Sequence, residues 1–194
     1  MSQTGAIMGL AILIGWLLSV IFGLFLPTVI ATPMSVVYAG ACVWLLRNNI
    51  ALTGAIAVLA PLGVMMPALA LRHMLVGLGF DIPGFLGIEI AVFLIAYTAF
   101  LCAAFGLIPI DLYRLGYDPR SVAVFAFCLC LYAFFMGNWF LAFVVVSGQF
   151  VWMMRWGSSN WFDHMTHVLL WPVALVVMMQ SFRQFVRVRT RHVR

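Results

Sequence analysis

Residues 121–154 read SVAVFAFCLCLYAFFMGNWFLAFVVVSGQFVWMM, thirty-four positions without one formally charged side chain. As a single helix this run would be about 51 Å long. The hydrocarbon core of a bilayer is about 30 Å thick. The segment therefore belongs in lipid, and it either tilts strongly or breaks at its midpoint, Gly137-Asn138.

The same character extends outward in both directions. Residues 1–46, 48–71 and 168–182 are also free of Asp, Glu, Lys and Arg. The first two reach the roughly 20 residues a spanning helix needs, and the third does so by including 161–167. Hydrophobic residues make up 66% of the 194, and charged residues only 8%, against about 25% in soluble domains. Such a chain could not cover a water-facing surface. A β-barrel would show short alternating segments, which are missing here. The expected fold is all-α, a polytopic transmembrane bundle.

Six spans are expected, near 5–26, 29–46, 50–71, 85–109, 121–154 and 162–183, in one integral membrane domain over 1–194. Residues 184–194 would form a basic tail. The turn between the first two spans is expected within 27–33. The N-terminus lacks a basic region and an A-x-A site, so it reads as a first helix and not as a cleavable signal.

All ten basic residues are Arg. Without lysine, Schiff-base chemistry and P-loop phosphate binding are excluded. With the C-terminal tail placed in the cytoplasm, six spans put eight Arg inside and leave Arg72 and Arg155 outside. Both termini are then cytoplasmic. Splitting 121–154 into two spans would change the tally to six against four. The Arg-rich tail is expected to contact anionic lipid, and nucleic acid is not needed to explain it.

Cys42, Cys102, Cys128 and Cys130 fall within these spans. Two residues apart on a helix, Cys128 and Cys130 point about 200° from each other, and they form no CxxC pair.

The threading gathers polar residues at one outer edge. His73 closes the third span, Asp81 follows it, and Glu89 lies one turn into the fourth. Asp163, His164 and His167 open the sixth. On one helix Asp163 and His167 would lie about 40° apart, with His164 about 60° further round. Asp163, His164, His167 and Glu89 are the candidate ion or proton ligands. With His73, the first three could hold a divalent metal, and Met165 beside Met153-Met154 would add soft ligands. A haem would need His73 paired with His164 or His167. The plain alternative makes Asp163 a helix cap, with Trp156 and Trp161 marking the interface.

Two interruptions stand out. LAPLGVMMPALA (59–70) carries Pro61, Gly63 and Pro67 within one span, and Gly137-Asn138 divides another. Broken helices of this kind build transporter sites. In DLYRLGYDPR (111–120), Asp118-Pro119 reads as an N-cap with proline at the first helical position. Ala11, Gly15, Ser19 and Gly23 form a small-residue stripe suited to helix packing, within the chain or in a homo-oligomer.

The expected function is that of a multi-pass bacterial inner-membrane protein. It would be a small transporter or the embedded subunit of a larger complex, with the outer cluster holding an ion, proton or cofactor. The rivals are a metal- or haem-dependent membrane enzyme acting on lipid or quinone, and a structural anchor.

Overall fold

The computed structural model describes residues 3–50, 54 and 63–191, with side chains described for 5–50, 54 and 63–183. Pro61 and most of the expected third span lie outside the described residues, as do the tail's side chains. Among the described residues the structure is helical, without strands. Three helices are long and apolar enough to cross a membrane: α1 (Gln3–Phe22), α2 (Thr28–Leu46) and α4 (Gly87–Ala104).

α1 and α2 pack along a seam of small residues. On α2 the buried positions are Ala31, Thr32, Ser35, Ala39 and Val43, one face at helical spacing. On α1 they include Ala6, Leu10 and Ser19, and a Cβ on Gly15 would meet Ala39 in ordinary van der Waals contact at 3.6 Å. The seam's hydroxyls bond back into their own helices: Ser35 Oγ to Thr32 O at 2.6 Å, and Ser19 Oγ to Trp16 O at 2.7 Å. The Gly15/Ser19 stripe thus packs against this chain's own α2. Gly23 lies in the turn after α1, which closes at 23–27, slightly earlier than expected. Pro33 is inside α2.

α3 (Met65–Gly77) runs beside α1 in the same direction, with Gly9 against the Pro67 ring and Trp16 edge-on to His73 at 6.3 Å. Pro67 is the third residue of α3, where a missing N–H costs nothing.

The 121–154 run is not one helix. It forms α5 (Pro119–Phe135) and α6 (Trp139–Met153), packed on each other across a three-residue turn. Gly137 supplies the left-handed backbone, φ 63°, that a side chain would disfavour. Asn138 locks the turn. Its N–H donates to Ala133 O at 2.8 Å, its Oδ1 accepts from Leu141 N at 3.1 Å, and its Nδ2 donates to Gly84 O at 3.1 Å. The hairpin returns the chain to the side it came from. Were each arm to cross the membrane, the eight-to-two Arg asymmetry behind the six-span orientation would fall to six against four.

The expected sixth span is divided too. α7 (Trp161–Met165) stops at Thr166, whose backbone is extended (φ −124°, ψ 152°), and α8 (Leu170–Arg191) begins four residues on. The main core joins α5, α6 and α7 through Val122, Ala133, Val144, Val145, Trp161 and Met165. Most other large apolar side chains face outward, Phe134, Phe135 and Ile95 among them, which suits a lipid surround.

Candidate functional site

The polar centre of the molecule forms where the loop after α4 meets the segment before α7. A short 3-10 helix, Tyr113–Tyr117, packs against α7. Asp163 lies between them, half-buried, and its Oδ2 accepts from Tyr113 Oη at 2.7 Å and from Ser158 Oγ at 2.5 Å. Ser158 Oγ in turn accepts from Asn160 N at 3.0 Å. Asn160 is fully buried, and its side chain works in two directions. Its Oδ1 caps α7 through Phe162 N at 2.9 Å, while its Nδ2 donates to Tyr113 O at 2.8 Å.

His164 is buried at 5% exposure, with Nε2 2.7 Å from Ser158 O. A carbonyl can only accept, so Nε2 is the donor in this bond. The His164 carbonyl accepts from Val64 N at 2.6 Å, linking this centre to the start of α3. Aromatic rings close the site: Phe100 of α4 packs on Phe162 at 4.9 Å and on Tyr113 at 6.1 Å. Burial, followed by the hydrogen bond to Asp163, pushes the Tyr113 phenol well above its ordinary value.

The remaining candidates lie elsewhere. His167 falls in the break between α7 and α8, so the shared helical arc with Asp163 does not form. Its Nδ1 accepts from Leu169 N at 3.2 Å, and burial lowers its basicity. Of the two imidazoles, His164 is buried and His167 is only half-buried.

Glu89 is at the opposite end of α4, where its Oε2 accepts from Leu86 N at 2.5 Å and its Oε1 from Tyr132 Oη at 2.6 Å. Eleven residues separate Glu89 from Phe100, about 17 Å of helical rise. His73 meets Trp16 edge-on nine residues beyond Val64, or about 14 Å along α3. The outer polar residues are therefore spread along α3 and α4, and only Asp163 and His164 meet at the centre beside the Tyr113–Tyr117 helix. Among the described residues no group of three His, Cys, Asp or Glu is placed to hold a metal ion.

Tyr113, Ser158 and Asn160 did not emerge from the sequence. Ser158 and Asn160 sit just before the flagged Asp163. Tyr113 is 50 residues away, and its only signal was its place in the loop DLYRLGYDPR. Nor does likeness to known proteins identify the site: no protein-family model, curated protein or solved structure matches the chain.

Proposed function

We propose that the chain is a small multi-pass transporter, or the membrane-embedded subunit of a larger complex, in which the Asp163 carboxyl binds and releases a proton or small cation. One observation carries this reading. Asp163 is a half-buried acid in a chain of membrane character, and among the described residues the donors holding it are two hydroxyls, from Tyr113 and Ser158. A structural acid in such a setting usually has a cationic partner, whereas acids without one mark ion or proton paths.

The geometry also suggests what protonation would do. Neutral Asp163 would accept less strongly from both hydroxyls. The tie between the Tyr113–Tyr117 helix and the start of α7 would loosen, and with it the link to α5. A second carboxylate–phenol pair, Glu89 with Tyr132, stands at the other end of α4 and α5.

The test is proton or Na⁺ flux into liposomes containing the purified protein, under an imposed gradient, with Asp163→Asn as the comparison. Flux in the wild type that is lost in Asp163→Asn supports the reading. A wild type that carries neither ion, with Asp163→Asn lowering only thermal stability, would make the centre a structural latch.

A further inference from the structure

We infer that the guanidinium of Arg72 binds a phosphate oxyanion, carried by a phospholipid headgroup or free in solution. Six arginine side chains are described, and five of them are exposed; Arg72 alone is half-buried. No carboxylate among the described residues forms an ion pair with it, and Asp81, in the loop that follows, is exposed. A partly buried charge in a chain of membrane character calls for a partner of opposite sign.

The guanidinium is held in one orientation. Its Nε donates to Pro83 O at 2.8 Å and its Nη2 to Ile82 O at 2.9 Å, so the loop between α3 and α4 occupies the side edge of the planar group. The Phe140 ring centre lies 5.9 Å from Cζ, within cation–π reach. A guanidinium has five N–H donors. The other three, two on Nη1 and one on Nη2, have no acceptor among the described residues. They include the pair at the end of the fork, two parallel N–H groups that match two oxygens of a phosphate. Holding the loop does not account for this charge. Carbonyl bonds leave it uncancelled, and Asn138 also fastens the loop, through Gly84 O at 3.1 Å.

Gly84 keeps room beside these donors. A Cβ there would fall 2.9 Å from Nη2 and 4.0 Å from Nη1. The backbone of Gly84 lacks the positive φ found at Gly79 and Gly137, so space, and not conformation, is what its missing side chain provides. Trp139, next to the Phe140 that flanks the guanidinium, is exposed, and an outward tryptophan suits the headgroup level of a bilayer. At that level lipid phosphates are dense, and free phosphate arrives from the water. The site is separate from ion binding at Asp163, and either assignment can fail without the other.

The experiment uses the full chain purified in detergent. Native mass spectrometry compares retention of phosphatidic acid with that of diacylglycerol, which differs only in lacking the phosphate. Equilibrium dialysis measures binding of radiolabelled inorganic phosphate. A lipid source predicts a preference of about tenfold or more for phosphatidic acid, as a charge-assisted pair of bonds should give. A free source predicts saturable binding of inorganic phosphate instead. Arg72→Gln should abolish whichever is seen, and Arg155→Gln, at an exposed arginine, should leave it intact. If Arg72→Gln fails to accumulate, Arg72→Lys takes its place. An ammonium keeps the charge but not the paired donors, so binding should fall by about threefold or more. Binding unchanged by Arg72→Gln or by Arg72→Lys, or neither ligand bound by the wild type, would overturn the inference.

Discussion

Replacing Gly116 with alanine tests whether the contact between the Tyr113–Tyr117 helix and α7 is as close as described. A Cβ on Gly116 would fall 2.0 Å from Asn160 Oδ1, and 2.7 Å from both Asn160 Cγ and Phe162 Cδ2. An asparagine side chain is too short to retreat the ångström or more required while keeping its bonds. The Asn160 amide must therefore leave either Phe162 N or Tyr113 O. Each lost hydrogen bond costs about 1 kcal/mol, and each buried group left without a partner about 1–3 kcal/mol. The sum is about 2–4 kcal/mol. The assay is reversible unfolding in mixed micelles, followed through tryptophan emission, since Trp161 is buried beside Asn160. Gly40→Ala is the control: nothing lies within 4 Å of its added methyl, so it should be neutral or stabilise by up to about 1 kcal/mol. A Gly116→Ala protein within about 0.5 kcal/mol of wild type would refute the proposed contact.

Gly15→Leu should overpack the α1–α2 seam at Ala39 by about 1–3 kcal/mol and lower membrane accumulation. Dissociation of an oligomer by a stably inserted Gly15→Leu chain would instead place the stripe between subunits. His164→Ala should destabilise more than His167→Ala, by about 1–3 kcal/mol, because it leaves the Ser158 carbonyl without its donor. Equal melting temperatures for the two variants would contradict the burial order. Because the folded Tyr113 phenol holds its proton above the ordinary value of 10.0, its contribution is complete below that pH and is lost as pH rises through the folded value. Alkaline unfolding of the wild type should therefore lose more stability with rising pH than that of Tyr113→Phe. Parallel curves for the two would remove this assignment.

The class of fold was legible because composition alone forces a lipid environment, and helix propagation through uncharged runs does the rest. The Asp118-Pro119 cap was legible too, and its carboxylate accepts from Arg120 N and Ser121 N as a local signal should allow. The break at Gly137 was visible as an excess of length. Its closure into a hairpin was not, because it depends on Asn138 reaching Gly84, 54 residues away. The same limit hid the site. Asp163 and His164 could be suspected from type and place, but Tyr113 joins them only through tertiary contact. The presumed helical arc failed at Thr166, an ordinary residue whose extended backbone nothing nearby in sequence announces.

The arms of the α5–α6 hairpin have 17 and 15 residues, about 26 and 23 Å of helix. Both fall short of a typical hydrocarbon core of about 30 Å. A bilayer around this hairpin would have to thin locally, at a cost of fractions of a kcal/mol for each ångström of mismatch. α1 and α2, with 20 and 19 residues, reach about 30 and 29 Å, so one molecule would present two hydrophobic heights to its lipids. The bilayer would be thinner on the hairpin side than beside α1 and α2, and the protein would settle most comfortably where acyl chains are short.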